Sequence, residues 1–337
     1  MAVITLANKY RPKTFADVVE QGAIKLILQE QLKTGTQKNC YLFTGGAGTG
    51  KTTCARIFAN EINKHQGNPI EIDAASNNGV ENVREIIDNA KFKALDAPYK
   101  VYIIDECHML STGAWNAMLK LLEEPPAQTI FIMCTTDPQK IPATILSRVQ
   151  RYDFQRITFE GIVSRLKYIC EQEGVKATNE ALDYIANLAD GGCRDSITLL
   201  DKCISYDINI TIKSAVEALG TVDYDTMFEL TECIADGKQA RIIAIVEGVH
   251  RTGVDLKQFM KQYSLFLLDV AKYYLLGTFK YVQIPSLYKE RLNKVVNGAD
   301  YEFLLGLLHD VIELNSAIKW ETAPKALIES TLLLISR

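Results

Sequence analysis

The sequence predicts an α/β fold in its N-terminal half and a helical C-terminal half. Over residues 1–156, five short apolar runs alternate with helical patterns, which indicates right-handed crossovers and a parallel sheet covered on both faces. From about Ile157 onward the strand patterns fade, and apolar residues recur at helical spacing. We therefore expect a three-layer domain built on a parallel five-stranded sheet, followed by helices alone.

The strands expected in this sheet are short and rich in residues that favour a buried, extended position. They are Cys40–Thr44, Ile70–Asp73, Val101–Asp105, Ile130–Thr135 and Arg151–Phe154. The segment before them contains Tyr10-Arg11-Pro12, which we expect to be extended because proline disfavours helix at the residue before it. Thr14 is a candidate cap for the short turn that follows.

Several helices are expected between and after these strands. One runs from Ala23 to Lys33 and ends at Gly35; another spans Thr112–Glu123 and is stopped by Pro125-Pro126. The expected apolar face of the first comprises Ile24, Ile27, Leu28 and Leu32. The stripe on the second comprises Trp115, Met118, Leu119 and Leu122 and is typical of core. Further helices are predicted at Thr158–Gln172, at Asn179–Asp190 and throughout residues 223–337.

Composition narrows the possible functions. The 337 residues carry a net charge of only −4, so bulk electrostatics do not indicate a nucleic-acid-binding protein. The eight cysteines contain no C-x-x-C pair, which argues against disulfide bonds and a structural zinc site and favours a reducing cytoplasm. No apolar stretch approaches about 18 residues, and the N-terminus lacks a signal-peptide pattern. We expect a soluble cytoplasmic protein.

The stretch Cys40–Thr53, CYLFTGGAGTGKTT, carries the strongest functional signal. A buried strand leads into a glycine-rich turn and then a helix, which is the pattern of a phosphate-binding loop. Glycines let successive backbone N–H groups point at a phosphate, and the helix N-terminus adds to the attraction. Lys51 is suited to the β and γ phosphates, and the Thr52 hydroxyl to Mg²⁺. The predicted loop comprises Gly45, Gly46, Ala47, Gly48, Thr49, Gly50, Lys51, Thr52 and Thr53.

Asp105 and Glu106 follow the third strand in the run VYIIDECH. The carboxyl ends of parallel strands are where ligand sites of such sheets lie. Asp105 is suited to hold Mg²⁺ through water, and Glu106 to act as the base that polarises the attacking water. An acidic pair after a strand is common by chance, but an upstream phosphate loop needs such a partner.

Polar residues also follow the fourth strand. Thr135 and Thr136 stand at its end, where a threonine could sense the γ phosphate, and Ser147-Arg148 lies further on. From the chemistry alone, Arg148 is either a solvated surface charge or a catalytic group. Any DNA contact must come from a local patch or from an assembly. The backbone of Asn77–Val80 at a predicted helix N-terminus is one candidate, with Arg84, which could instead pair with Glu81 or Glu85.

These pieces together resemble the gamma/tau family of bacterial DNA polymerase III clamp-loader subunits, which are AAA+ ATPases. The matching motifs cover essentially the whole chain: KYRPKTFADVV, GGAGTGKTT, IEIDAAS, DECHMLS, LLKLLEEPP, TTDPQKIPATILSR and GGCRDS. The resemblance implies an AAA+ nucleotide-binding domain at 1–156, a helical lid at 157–220 and an α-helical collar at 221–337 that holds a pentameric ring. It also implies a sliding clamp, primed DNA and the other loader subunits as partners, with no membrane.

The resemblance further assigns roles to individual residues. It implies that Thr136 is the first sensor of the γ phosphate and Arg194 the second, and that Arg148 is a finger donated to a neighbouring subunit's ATP. The residues expected to cradle the adenine are Tyr10, Arg11, Pro12, Val18 and Val19.

Three features depart from the usual family pattern. Members usually carry a four-cysteine zinc insert, but residues 62–72 hold one histidine, His65, and no cysteine; no zinc is expected. Glu20 stands where the pattern DVVGQ has glycine, which bears on the local turn beside the adenine pocket. The chain ends at the expected collar, which suggests a short, gamma-like form.

The sequence thus predicts a subunit that uses ATP and Mg²⁺ to open a sliding clamp and load it onto primed DNA. No polymerase active site is expected in this chain. The alternatives are another AAA+ replication motor, such as a helicase loader or a branch-migration motor, and a non-hydrolysing scaffold of the delta-prime kind. The intact Lys51-Thr52 and Asp105-Glu106 pairs argue against the scaffold.

Overall fold

The computed structural model describes residues 4–336. The chain divides into two compact units, which are described separately. The first comprises the residues up to Gly174 together with Leu188–Asp201, and the second comprises Val175–Asn187 together with the residues from Lys202 onward.

The first unit contains a five-stranded parallel sheet, which confirms the predicted fold. Its strands are β1 Cys40–Thr44, β2 Ile70–Asp73, β3 Lys100–Asp105, β4 Thr129–Thr135 and β5 Gln150–Asp153. Their order across the sheet is β2-β3-β4-β1-β5, and all neighbours are parallel. Thr44 pairs in register with Thr135, so the carboxyl ends of β1 and β4 lie side by side. β2 is an edge strand, and Ile70 on it is exposed.

Helices cover both faces of this sheet. The helices up to residue 173 are α1 Leu6–Lys9, α2 Gly22–Thr34, α3 Lys51–Ile62, α4 Val80–Ala90, α5 Thr112–Glu123, α6 Ala143–Leu146 and α7 Phe159–Glu173. Of these, α2 and α3 pack on one face of the sheet, and α4, α5 and α6 pack on the other. Next in the chain come α8 Asn179–Leu188 and α9 Cys193–Tyr206. Short 3₁₀ turns occur at Phe15–Asp17, Cys107–Met109 and Pro138–Lys140. The hydroxyl and the backbone N–H of Thr14 both donate to the Asp17 carboxylate at the first turn.

The two faces of the sheet follow from strand alternation. Along β1, Tyr41 and Phe43 enter one buried cluster with Phe58 of α3, whereas Leu42 enters the other with Trp115 of α5. Because successive side chains of a strand point to opposite faces, a strand buried on both faces reads as a continuous apolar run. Central strand β1 is accordingly buried at all five positions.

Two predicted helix faces are only partly right. Ile24 and Leu28 of α2 are buried, but Ile27 is 46% exposed, because this helix contacts the core along a narrow ridge of residues four apart. On α5, Leu121 is buried, whereas the predicted Leu119 is partly buried at the edge of the cluster.

The second unit is helical, as predicted for residues 223–337. After α10 Ile212–Leu219 it contains α11 Tyr224–Ala235, α12 Gln239–Arg251, α13 Leu256–Leu276, α14 Lys289–Gly298, α15 Tyr301–Ile318 and α16 Pro324–Ile335. Two 3₁₀ turns, Phe279–Tyr281 and Ser286–Tyr288, follow α13. One apolar cluster joins the helices from α11 onward. The sequence did not predict the parallel pairing of β6 Lys176–Ala177 with β7 Asn209–Ile210, because two residues are too short for an alternation pattern. Within residues 4–336, no helix combines the length and apolar character needed to span a bilayer.

Candidate nucleotide-binding site

The glycine-rich loop connects β1 to α3 at the carboxyl edge of the sheet. Gly48 adopts φ +68°, and a Cβ atom there would lie 2.9 Å from the Cα of Gly192. Gly45 adopts φ +145°, and a Cβ atom there would lie 2.5 Å from the carbonyl oxygen of Phe154. Both positions therefore require glycine.

Lys51 opens α3 and turns its side chain back into this loop. Its Nζ donates hydrogen bonds to the carbonyl oxygens of Gly45 and Gly46, at 2.9 and 2.7 Å. The residue is buried, and burial lowers the pKa of the Lys51 ammonium. Its hydrogen-bond acceptors are neutral carbonyls, and the charges of Glu106 and Asp105 only partly offset the burial of the ammonium. An anionic phosphate in the loop would supply the missing negative charge.

Thr52 and Asp105 meet across the sheet edge. The Thr52 hydroxyl donates to Oδ2 of Asp105 at 2.8 Å, and Oδ1 of Asp105 accepts the backbone N–H of Glu106 at 3.0 Å. A hydroxyl and a carboxylate are the hard oxygen ligands that Mg²⁺ prefers, with water and phosphate oxygens completing the shell. The pair therefore fits a magnesium ion bound together with a nucleotide. Among residues 4–336, no group of three or more His, Cys, Asp or Glu side chains could hold a metal by itself.

Glu106 has a strained backbone at the end of β3. Its φ is +46°, which is uncommon for a residue with a side chain and typical of functional sites. Its Oε2 atom accepts hydrogen bonds from the hydroxyl and the backbone N–H of Thr136, at 2.9 and 3.3 Å. The Nδ1 atom of His108 lies 3.3 Å from the same oxygen. Glu106 is thus held beside the loop by residues of β4 and of the adjoining 3₁₀ turn.

The glycine-rich loop, the end of β3 and the N-terminal segment enclose one cavity of about 280 Å³. Most of the predicted site residues line it: Tyr10, Arg11, Pro12, Val18, Val19, Ala47, Gly48, Thr49, Gly50, Lys51, Thr52, Thr53, Asp105, Glu106 and Arg194. Gly45 and Gly46 contribute the carbonyls that bind Lys51. Thr136 lies behind Glu106, and Arg148 lies away from the cavity.

The N-terminal wall of the cavity is fixed by α7. Arg165 donates to the carbonyl of Tyr10 at 2.6 Å, and the Tyr10 hydroxyl donates to the carboxylate of Glu173. Burial and the hydrogen bond to Glu173 raise the pKa of Tyr10 to about 12. Arg11 faces the cavity, and burial together with the charges of Arg56 and Arg194 lowers its pKa. Such a crowded cationic wall favours an anionic ligand.

The N-terminus of α9 contacts the glycine-rich loop directly. The backbone N–H of Cys193 donates to the carbonyl oxygen of Gly48 at 3.1 Å. This contact is possible because Gly48 and Gly192 meet without side chains. Arg194, the next residue, thereby reaches the cavity wall.

Glu20 and the following Gln21 form the turn where the family pattern has glycine. Their φ angles are +54° and +52°. The Glu20 carboxylate accepts hydrogen bonds from the N–H and hydroxyl of Thr158, the N-cap of α7. The Gln21 amide donates to the carbonyl of Gln155 at 2.7 Å. The turn is thus retained with glutamate, and the strained backbone is offset by a helix-capping contact.

Arg148 is engaged within its own chain. Its Nε and Nη2 atoms donate to one carboxylate oxygen of Glu123, at 2.9 and 2.6 Å, and Nη1 donates to the carbonyl of Thr144 at 2.6 Å. The side chain keeps about one third of its surface exposed.

Sequence reasoning missed three residues of the site: His108, Gln21 and Arg165. His108 follows the acidic pair in DECH, so its position in the motif was an available signal. In the sequence, Arg165 occupies an ordinary polar position of an amphipathic helix. Gln21 lies beside a family motif, but its contacts are evident only in the folded chain.

Comparisons with known proteins agree with this geometry. A family model described as DNA polymerase III, delta subunit, matches residues 69–158, and one described as DNA polymerase III clamp loader subunit, ATPase lid domain, matches residues 161–207. DNA polymerase III subunit tau of Bacillus subtilis is 36% identical over 98% of this chain and 62% of its own length. The corresponding Escherichia coli subunit is 36% identical over 76% of this chain and 43% of its own length. This chain belongs to the gamma/tau clamp-loader family. The resemblance seen in the sequence is confirmed.

This gamma/tau family member spans less than two thirds of the length of these curated relatives. Among solved structures, the Thermotoga maritima RuvB Holliday junction branch migration motor is similar with a TM-score of 0.54 and 19% identity. The match covers 67% of this chain and 79% of that one. At this identity the likeness concerns the fold, and it confirms the AAA+ P-loop architecture.

Proposed function

We propose that this chain is an ATP-hydrolysing clamp-loader subunit that opens a sliding clamp and loads it onto primed DNA. The observation that carries the proposal is the 2.8 Å contact between Thr52 and Asp105 beside the buried Lys51, in a member of the gamma/tau family. A chain that only served as a scaffold would need neither the ammonium in the loop nor the hydroxyl–carboxylate pair.

The phosphate end of the site is assigned from its contacts. Lys51 exchanges the carbonyls of Gly45 and Gly46 for the β and γ phosphate oxygens, and the loop N–H groups bind the same phosphates. Thr52 and Asp105 would hold Mg²⁺, Asp105 through water. When bound, this ion neutralises charge on the phosphates as the bond to the γ phosphorus breaks.

Glu106 is assigned as the base that orients and deprotonates the attacking water. It borders the cavity next to Lys51, and Thr136 holds its carboxylate. Thr136 is the proposed first sensor because it connects this carboxylate to the end of β4. Arg194 is the proposed second sensor because it lines the cavity at the N-terminus of α9.

The base of the nucleotide is assigned to the N-terminal wall. Tyr10, Arg11 and Pro12 line one side of the cavity, and Val18 and Val19 line another. Apolar side chains and exposed backbone of this kind suit a planar adenine, whereas the cationic side chains suit the phosphates. A cavity that combines an apolar wall with cationic side chains supports a nucleoside triphosphate as the ligand.

Domain roles and partners are assigned by family membership. The proposed domains are the nucleotide-binding domain at 1–156, the lid at 157–220 and the collar at 221–337, which would assemble a homo- or hetero-pentameric ring. Arg148 is proposed to reach a neighbour's ATP, and its position away from its own cavity supports a role in trans. No zinc is assigned.

Contacts to the DNA backbone are assigned to the N-terminus of α4. Asn77–Gly79 precede this helix, and no carboxylate of the described residues lies within ion-pair distance of Arg84. The alternative pairing of Arg84 with Glu81 or Glu85 is therefore absent from the structure, which supports a phosphate contact. Such contacts read backbone shape and not base sequence, and several subunits lining one chamber would provide the affinity that the acidic chain lacks.

ATPase measurements with and without a sliding clamp and primed template test this function against its alternatives. A clamp-loader subunit in its complex hydrolyses ATP faster when both are present. The family model that names a delta subunit keeps the delta-prime-like scaffold as the second candidate. A scaffold would show no hydrolysis in any mixture, and a helicase loader or branch-migration motor would respond to DNA but not to the clamp.

A further inference from the structure

The polar residues around Glu106 have an arrangement that the assigned roles do not explain. The Thr136 hydroxyl and the Thr136 N–H both donate to Oε2, and the Nδ1 atom of His108 lies 3.3 Å from the same oxygen. No described residue donates a hydrogen bond to Oε1. One oxygen of the proposed base is therefore anchored, and the other is free to face the cavity that Glu106 lines.

The Nδ1 atom of His108 has two polar neighbours. Nδ1 lies 3.1 Å from the Thr135 hydroxyl and 3.3 Å from the Glu106 carboxylate. Both neighbouring oxygens carry lone pairs and can accept a hydrogen bond from an N–H at this position. The side chain is only 12% exposed, so water competes little for this donor.

Thr135 fixes the imidazole from the other side. Its hydroxyl accepts the backbone N–H of Asp137 at 3.0 Å, and its carbonyl oxygen accepts the N–H of Gly45 at 3.3 Å. Thr135 is fully buried at the end of β4 and cannot shift without disturbing the sheet. His108 is therefore held between a rigid strand end, which also contacts the glycine-rich loop, and the proposed base.

The geometry points to His108 as a positioning residue of the reaction: its Nδ1–H anchors Oε2 of Glu106 so that Oε1 is aimed at the attacking water. This inference rests on the proposed ATPase function. His108 does not touch the nucleotide, since it is absent from the cavity wall, and acts only through Glu106. The hydrogen bonds from Thr136 alone leave the carboxylate free to rotate about them, and a second anchor on a different element removes that freedom.

Matched substitutions test the role of the Nδ1 donor. His108→Asn places an amide N–H close to where Nδ1 lies, His108→Gln places it near Nε2, and His108→Ala removes it. Loss of the anchor misaims the base, so we expect His108→Ala and His108→Gln to lower kcat on the order of tenfold to a hundredfold. We expect His108→Asn to stay within about threefold of wild type, and KM and the affinity for a non-hydrolysable ATP analogue to be unchanged throughout. The exposed His309→Ala serves as the control.

A double substitution provides the second test. In a Glu106→Gln background, the base is gone, and His108→Gln should cause no further loss of the residual rate. All assays use the full chain in its assembled complex, with clamp and primed DNA.

The outcomes distinguish the positioning role of His108 from the proposed ATPase function on which it rests. Wild-type kcat in His108→Ala, a His108→Asn variant as slow as His108→Gln, or an equal further loss in the Glu106→Gln background would each overturn the positioning role and leave the ATPase assignment standing. Wild-type ATP hydrolysis by Glu106→Gln would instead overturn the assignment of Glu106 as the base, and a wild-type complex that hydrolyses no ATP would overturn the proposed function itself. If His108→Ala fails to fold, the Asn and Gln pair still decides the question.

Discussion

Arg148 and Glu123 form an ion pair in which two N–H groups of the guanidinium donate to a single carboxylate oxygen, at 2.9 and 2.6 Å. The pair joins the end of α5 to the second residue after α6, and the carbonyl of Thr144 accepts from the third nitrogen. A guanidinium fixed in this way loses little conformational freedom when a phosphate approaches. The ion pair therefore holds the Arg148 guanidinium in a fixed position, away from the nucleotide cavity of its own chain.

If Arg148 acts in trans, rings of Arg148→Ala should assemble and bind ATP nearly normally but lose most of their hydrolysis, since such a finger is worth roughly 10³ to 10⁵ in rate. Mixing this variant with Lys51→Ala creates some interfaces where an intact loop meets an intact finger. ATPase activity should then partly recover. A mixture as inactive as either variant alone, in rings shown to be mixed, would contradict the role in trans.

Glu20 has two opposing effects on stability. Its carboxylate caps α7 through Thr158, and its φ of +54° is strained for a residue with a side chain. Glu20→Ala loses the cap and keeps the strain, so we expect a loss of about 1 kcal/mol. Glu20→Gly loses the cap but relieves the strain and should be close to wild type. Thermal unfolding of the three proteins measures this, and equal losses in both variants would show that the backbone is not strained.

The contacts of Glu173 with the N-terminal wall of the cavity make the stability of the folded state depend on pH. Hydrogen bonds from Lys9 and Tyr10 lower the pKa of Glu173. A carboxylate whose pKa is depressed in the folded state stabilises it above its unfolded pKa of about 4.3, and this contribution is lost as the pH falls through the folded pKa. Glu173→Gln should therefore lower Tm by about 1–2 °C at pH 7, and the difference should shrink below about pH 4.

Glu171→Gln, on the same helix, is the matched control for this pH effect. Glu171 has no ion pair among the described residues, so its removal should leave Tm nearly constant at both pH values. A Glu173→Gln difference that stays the same from pH 7 to pH 3.5 would show that the carboxylate charge does not contribute.

Much of the fold and the site was predictable because their signals are local. The strands lie within one residue of their predicted ends, since turn residues and apolar runs set these limits along the chain. The glycine-rich loop and Asp105 are marked by residue types at fixed spacing. Thr52 and Asp105 are 53 positions apart in the chain, yet the parallel sheet determines that the ends of their strands meet.

The contacts that were not predicted join residues that are far apart in the sequence. The sequence around each of these residues shows no motif or periodicity that indicates a partner. Glu123 and Arg148 each read as ordinary surface charges, and only packing of α5 beside α6 pairs them. The same holds for His108 and Thr135, which meet because β4 lies next to β3 in the sheet. Ile27 was placed in the core by helical spacing, but the width of the contact surface depends on the neighbouring elements and not on α2 itself.

The proposed function requires that the chain bind ATP through Lys51 and hydrolyse it with Glu106 as the base. Its most direct test compares Lys51→Ala with Glu106→Gln by nucleotide titration and ATPase rate in the same preparation. We expect Lys51→Ala to lose tight ATP binding, because the charge that holds the β and γ phosphates is gone. We expect Glu106→Gln to bind ATP like wild type and to lose hydrolysis. Tight ATP binding by Lys51→Ala, or wild-type turnover by Glu106→Gln, would contradict the account.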